Sequence, residues 1–263
     1  MTIPFYLVDA FAEAPFTGNP AGVCLLSAQA PEDWMQKVAM EMNQAETAFV
    51  FPTGHEFSLR WFTPTSEVDL CGHATLASAK VLWESGLLEL EKEAIFQTKS
   101  GELRCRLQGG QIAMDFPAEP AQPEDIPESL IGAFEGTPIW YGRNRMDVLI
   151  QLLDYDEVLN LQPSSNMLAS IPTRGFIFTA QSKDPQYDFI SRFFAPGVGV
   201  EEDAVTGSAH CCLAPFWAPK LGKADLVGYQ ASPRGGVVGM SLNGNRVLLS
   251  GKAQVVVKGE LLA

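Results

Sequence analysis

The chain is poor in positive charge: 18 lysines and arginines face 31 aspartates and glutamates, a formal net charge of −13. A surplus of that sign is repelled by phosphate backbones and anionic lipid headgroups, so neither nucleic acid nor a membrane surface is expected as a partner. Long apolar runs are missing as well. No stretch of about eighteen uninterrupted apolar residues occurs, and the opening MTIPFYLVDAF has neither a basic n-region nor a sustained apolar segment. A soluble, cytoplasmic protein is the expectation.

Cysteine is sparse and unpaired. Five thiols, at 24, 71, 105, 211 and 212, make an odd count without paired spacing, and two are sequence neighbours, a poor geometry for one bridge. Reduced thiols follow. There are three histidines. Although Cys71, His73, His210, Cys211 and Cys212 are zinc-ligand types, neither Cys-x2-Cys nor His-Glu-x2-His appears, and no metal site is expected. No Gly-x4-Gly-Lys-Ser/Thr occurs and no Gly-x-Gly-x2-Gly follows a strand, so nucleotide cofactors are not implied.

What is present is a globular balance, 46% hydrophobic and 19% charged over 263 residues, with room for two compact domains. An internal echo favours two. RWFTPTSEVDLCGHATLASA begins at Arg60 and RFFAPGVGVEEDAVTGSAHCCLA at Arg192, matching Arg60, Phe62 and Pro64 to Arg192, Phe194 and Pro196. The second copy then runs three residues longer, after which Gly72 and Ala74 match Gly207 and Ala209, with Asp203 as the expected counterpart of Asp69. Two copies half a chain apart point to two similar domains rather than a solenoid. FPAEPAQPEDIPES, residues 116–129, breaks all periodicity between them. The expected domains are 1–118 and 119–263, with the option that the final strand returns to the first.

Pro31 with Glu32 and Asp33 opens a helix through Trp34, Val38 and Met42, ending near Asn43. ETAFVFP, FSLRWF, IFQTKS, ELRCRLQ and QIAMDF are expected strands, the last two joined at Gly109-Gly110, and strands outnumber helices. Residues 72–84 are small or apolar on every side, the mark of a buried helix, with Gly86 at its end. Its second copy spans 207–221 before Gly222, with a kink expected at Pro215. Further strands are expected at GFIFTA, YDFISRFFA, GVVGMSL and RVLLSG, with a tight hairpin at LNGNRV.

A helix N-terminus exposes unpaired N–H groups and a positive dipole end, so it attracts anions. Two such mouths, at Gly72-His73 and Gly207-Ser208, are expected to face each other across an interdomain cleft and hold one carboxylate-bearing ligand. His73, beside a glycine at a helix start with acids nearby, suits proton exchange near neutral pH. His55 reads as surface and His210 as packed.

Taken together, DAFAEAPFTGNPAGVCLL, MNQAETAFVF, LRWFTPTSEVDLCGHATLASA, FFAPGVGVEEDAVTGSAH and QASPRGGVVG resemble the PhzF-type phenazine biosynthesis protein family. The resemblance implies an α+β, diaminopimelate epimerase-like fold: two pseudo-symmetric domains, each a mostly antiparallel sheet rolled around a central helix. It also implies cofactor-free proton transfer at carbon, with Glu46 as general acid/base and His73, Asp203 and Ser208 in support. Substrate binding would fall to Gly72, Gly207 and the loop of Ser232, Arg234, Gly235 and Gly236. The implied partners are a small carboxylic acid and a second copy of the chain in a homodimer. The epimerase relatives use two thiols; here Cys71 holds the first place, but the second falls at Thr206, whose hydroxyl is far too weak an acid unaided. A two-thiol-like epimerase or racemase using Cys71, and a member that binds a metabolite or protein without turnover, are the alternatives.

Overall fold

A computed structural model describes residues 2–262. The chain folds as two compact units, Met1–Asp115 with Ser250–Ala263, and Phe116–Leu249. In the first, β1 (Ile3–Ala10) and β2 (Asn19–Leu25) form an antiparallel pair. Helix α1 (Glu32–Met42) carries Glu32 and Asp33 in its first turn, where the helix dipole favours acids, and closes on Asn43 in the left-handed region at φ 49°. Its Met35, Val38 and Ala39 pack with Phe49 and Phe62 of β3 (Glu46–Thr53) and β4 (Glu56–Phe62). The two-residue β5 (Glu67–Val68) leads into α2 (Gly72–Glu84), and the meander β6 (Ala94–Thr98), β7 (Gly101–Gln108) and β8 (Gln111–Pro117) follows.

The second unit runs through β9 (Gln122–Pro123), β10 (Pro138–Arg143), β11 (Asp147–Leu152), the short helices α3 (Tyr155–Leu159) and α4 (Ser165–Ala169), β12 (Gly175–Gln181), β13 (Phe189–Ala195) and β14 (Val200–Asp203). Helix α5 (Gly207–Leu221) comes next, then β15 (Asp225–Gln230), β16 (Gly236–Asn243) and β17 (Arg246–Gly251). The last strand, β18 (Ala253–Leu261), pairs antiparallel with β1 in the first unit.

The duplication is written in the pairing pattern. β2 runs parallel to β3 as β11 does to β12, and β3–β4 is antiparallel like β12–β13. β4 runs parallel to β6 as β13 does to β15, and antiparallel β6–β7 has its match in β15–β16. The pairs β1–β18, β1–β2, β10–β11, β9–β10, β13–β14, β4–β5 and β7–β8 are antiparallel.

Register also corrects one correspondence. Phe193 faces Asp203 just as Trp61 faces Val68, so Asp203 stands in the place of Val68, and the place of Asp69 is taken by Ala204. The three extra residues of the second copy lie within 197–201, between Pro196, the match of Pro64, and Glu202, the match of Glu67, and leave this facing unchanged; the acid stands one place earlier on its strand than Asp69 does.

Each unit encloses an apolar helix. Every residue of α2 from His73 to Ala79 is buried, and the helix packs on β1, β2, β3 and β18. Its two interior hydroxyls are satisfied locally: Thr75 Oγ1 donates to Cys71 O at 2.6 Å and Ser78 Oγ to Ala74 O at 2.7 Å. Helix α5 packs on β15 and β16, with Trp217 stacked on Phe189 and donating from Nε1 to Thr179 Oγ1 at 3.0 Å. The kink expected at Pro215 does not divide the helix, which continues through Pro215 and Pro219 to a left-handed Gly222 at φ 66°. Among the described residues, no helix is long and apolar enough to cross a membrane.

The arginines of the echo brace the strand that enters each central helix. Arg60 Nε and its NH2 group donate to the two carboxylate oxygens of Glu67, both at 2.7 Å, and Arg192 grips Glu202 at 2.7 and 2.8 Å. Each guanidinium lies over the phenylalanine two residues on, 5.2 Å from the Phe62 centroid and 4.9 Å from that of Phe194. Such two-point forks fix geometry as well as charge. Arg60 holds the Glu67 carboxyl below the usual carboxylate range, against burial that pushes the other way.

Two stability predictions follow from this packing. Arg192 also donates to Leu161 O at 2.6 Å, and Glu202 has no lysine partner comparable to Lys99 on Glu67. Arg192→Ala should therefore lower unfolding free energy by about 3 kcal/mol and Arg60→Ala by clearly less, read from urea titrations. Burial lowers the pKa of His210 to about 4, its bond to Thr206 O opposing. The unfolded chain then binds the extra proton first as pH falls, so stability is lost through that window. Between about pH 8 and about pH 5 the wild type should lose about 2 kcal/mol more than His210→Gln.

Candidate active site

In the first unit, β3 begins at Glu46, whose parallel neighbour on β2 is Ala21. Helix α2 begins at Gly72, after an extended Cys71 (φ −144°, ψ 110°) that makes no side-chain cap bond. Its first backbone bond closes from Thr75 N–H to Cys71 O at 3.1 Å, and by helix geometry the N–H groups of Gly72, His73 and Ala74 have no partner within the helix. Three side chains, of Glu46, Cys71 and His73, meet at this mouth. Glu46 Oε2 lies 3.2 Å from His73 Nε2, out of line for a hydrogen bond but close enough for strong electrostatic coupling. Cys71 Sγ is 3.5 Å from Nδ1 and 4.0 Å from Nε2 of the same ring.

Asn19 Nδ2 is 3.3 Å from His73 Nδ1. An amide donating to Nδ1 leaves the ring proton on Nε2, the nitrogen beside Glu46. Burial lowers the His73 pKa, and the Glu46 charge opposes that shift. The imidazole is thus held neutral near physiological pH, with its proton turned toward the carboxylate.

The mouth of α5 in the second unit is built on the same plan. Thr206 is extended (φ −112°, ψ 102°) and makes no side-chain cap bond, and the Nδ1–H of His210 donates to Thr206 O at 2.8 Å, where Thr75 bonds Cys71 O in the first unit. The Thr206 hydroxyl donates to Asp203 Oδ2 at 2.6 Å. Gln230 bridges the turn, accepting from Thr206 N–H at 2.9 Å and donating to Asp203 O at 2.9 Å. Ser208 Oγ accepts from Arg174 at 2.8 Å, and Arg174 is clamped on the buried Asp147 at 2.8 and 2.5 Å. Burial pushes the Asp147 carboxyl up, and Arg174 opposes it.

Of the loop 232–236, Ser232 Oγ donates to Ala204 O at 2.8 Å and accepts from Gly235 N–H at 3.1 Å, so its hydroxyl pins the loop to the chain just ahead of α5. Gly235 has φ +63°, and a Cβ there would fall 2.4 Å from the Tyr229 hydroxyl; only glycine fits. Arg234 is half-buried within the turn, and Gly236 starts β16.

The structure thus gathers Glu46, Gly72 and His73 in one unit, and Asp203, Gly207, Ser208 and the Ser232–Gly236 loop in the other. Four residues escaped the sequence reading. Asn19 sits in Gly-Asn-Pro, where an asparagine reads as turn punctuation. Arg174 and Asp147 stand just ahead of, and at the head of, apolar strands, and Gln230 ends β15 two residues before the Ser232–Gly236 loop. A buried polar residue at a strand end was the signal available for Asp147 and Gln230.

One asymmetry matters for chemistry. Thr47 faces Phe62 and Phe176 faces Phe194, so the place of Glu46 is occupied in the second unit by Gly175. A Cβ there would lie 2.3 Å from the Phe193 ring. The acid is therefore present in one copy only, and the residue before it is Arg174 in the other.

The sequence profile of the phenazine biosynthesis-like protein family, PhzC-PhzF, matches residues 8–259. A protein of Halalkalibacterium halodurans, named an uncharacterized isomerase, is 50% identical over 263 residues, covering 100% of this chain and 99% of its own. The crystal structure of a PhzF family protein from Enterococcus faecalis superposes with a TM-score of 0.96 at 38% identity, covering 100% of both chains. A hydroxyproline epimerase from Agrobacterium vitis, solved with bound trans-4-hydroxy-L-proline, shares the fold at 11% identity, with a TM-score of 0.65 over 99% of this chain and 92% of its own. The two sheet-wrapped helices are accordingly an α+β fold of the diaminopimelate epimerase type, and the chain belongs to the phenazine biosynthesis-like PhzF family, as an isomerase.

Proposed function

We propose that this isomerase moves a proton between carbons of a small carboxylic acid, with Glu46 as the single acid/base. The Glu46 carboxylate takes a proton from a C–H bond, the electron pair left behind is delocalised toward the neighbouring unsaturated or carboxyl group, and the same side chain returns the proton at another carbon. Nothing is oxidised or reduced, and no group leaves. Neutral His73 stands beside the carboxylate, its Nε2 3.2 Å from Glu46 Oε2, and acts on it electrostatically. The N–H groups at the α2 mouth that have no partner within the helix offer donors for developing negative charge, an arrangement that contributes several kcal/mol where such donors are oriented in advance.

The observation that carries the reading is the lone acid: Glu46 beside His73 in one copy of the repeat, Gly175 at the same register in the other. A two-base racemase needs a proton carrier at each mouth. Here the second thiol place is Thr206, whose hydroxyl is committed to Asp203. In this proposal Asp203, Ser208 and Gly207 take supporting parts, with Arg174 as the positioning residue that fixes the Ser208 hydroxyl, and Ser232, Arg234, Gly235 and Gly236 shape the substrate loop.

The test is a panel of amino- and hydroxy-carboxylic acids incubated in deuterated water and read by mass shift. On a substrate so identified, Glu46→Gln should lower turnover and deuterium wash-in by at least about 100-fold. Cys71→Ser should cost less than that, whereas a thiol-based epimerase would lose its exchange entirely. Glu46→Gln with wash-in within a few-fold of wild type would rule the assignment out.

A further inference from the structure

The same mouth holds an unusual set of donor atoms. The carboxylate of Glu46, the sulfur of Cys71 and the imidazole of His73 all lie within 4.8 Å of one another. Zinc takes such ligands at about 2.0–2.3 Å in a tetrahedron, which sets ligand-to-ligand distances of about 3.3–3.6 Å. Glu46 Oε2 to His73 Nε2 is already 3.2 Å, and Cys71 Sγ to Nε2 is 4.0 Å. Cys71 Sγ stands 3.5 Å from Nδ1, so bringing it to a metal held on Nε2 takes a rotation of the Cys71 and His73 side chains between rotamers.

Charge and outer contacts favour the same occupant. A divalent cation with one thiolate and one carboxylate gives a neutral cluster, the arrangement that burial tolerates best. Asn19 stands on the far nitrogen of the ring; turning its amide by half a turn puts Oδ1 there, to accept from Nδ1–H and free Nε2 for a metal. The three protein ligands leave a fourth position open to water or a substrate carboxylate. Spacing along the chain hid the set, because Glu46 is on a strand and Cys71 and His73 are at a helix start.

We propose that Glu46, Cys71 and His73 form a binding site for a borderline-soft divalent metal, zinc in particular, and that occupancy silences the enzyme by coordinating Glu46. The binding half stands on the geometry alone, and the silencing half rests on the proton-transfer role proposed for Glu46. Binding forms metal–sulfur, metal–nitrogen and metal–oxygen bonds and releases the thiol proton to solvent, with no change of oxidation state. The other cysteines are poor competitors, since burial pushes the thiols of Cys24, Cys211 and Cys212 up to about 12 and raises that of Cys105 also.

The experiment titrates the reduced full-length protein with Co²⁺ and then Zn²⁺. Wild type should show one saturable site with a thiolate-to-cobalt charge-transfer band that Zn²⁺ abolishes. Cys71→Ser should lose the band, and Asn19→Ala should bind about 10- to 100-fold more weakly. Zinc should also shield Cys71 of the wild-type protein from iodoacetamide, read on the peptide by mass spectrometry, which keeps the test intact if a variant misfolds. A band that survives Cys71→Ser, or Cys71 alkylated equally fast with and without zinc, would overturn the site. Zinc shielding with undiminished turnover would overturn the silencing half and count against Glu46 as the base. Loss of activity in Glu46→Gln without any metal binding would leave Glu46 standing and remove the site.

Discussion

A helix buried on every side can meet polar chemistry only at its ends, and α2 is such a helix. Its interior hydroxyls turn back onto its own carbonyls, and its flanks are small and apolar, so the first turn is where donors are left without an intrahelical partner. Extended Cys71 makes no side-chain cap there. A helix whose only need was to end would place serine, aspartate or asparagine at that position and consume its own donors. Three polar side chains of the first unit meet at this mouth: Glu46 from the start of β3, Asn19 from the start of β2, and His73 from the helix itself.

The second unit repeats the frame and changes the contents. The extended cap, the i+4 bond to the cap carbonyl and the Arg–Glu fork on the entering strand all recur. At matching places, however, Glu46 becomes Gly175, His73 becomes Ser208, and Cys71 becomes a Thr206 hydroxyl bound to Asp203. Duplication copies backbone geometry readily because sheet register and helix ends depend on local pattern. Side chains at the mouths contribute little to that frame and are free to diverge. The first mouth has kept an acid beside a neutral imidazole, and the second an arginine-held hydroxyl.

Much of the frame was legible because its signals are periodic. The all-round apolar character of residues 72–84 announced a buried helix, and Pro31, Asn43, Gly86 and Gly222 marked ends where the structure places them. The matched Arg, Phe and Gly of the echo announced the repeat. The Asp69–Asp203 match failed because the aspartates stand one place apart in the two copies, and only the strand pairing shows which places correspond. Pro215 and Pro219 both lie inside α5, which runs unbroken from Gly207 to Leu221.

Sequence by itself determined the family, the twofold repeat and the buried central helices, because each is carried by residues near one another along the chain or by an ordered set of motifs. Tertiary structure alone decided which groups touch: Asn19 on His73, Arg174 on Ser208 and Asp147, Gln230 across Thr206 and Asp203, and the Glu46, Cys71 and His73 donor atoms within 4.8 Å of one another. The reason is geometric. These contacts join strand ends to helix starts tens of residues apart, and their distances are set by sheet pairing and helix packing rather than by any spacing in the chain.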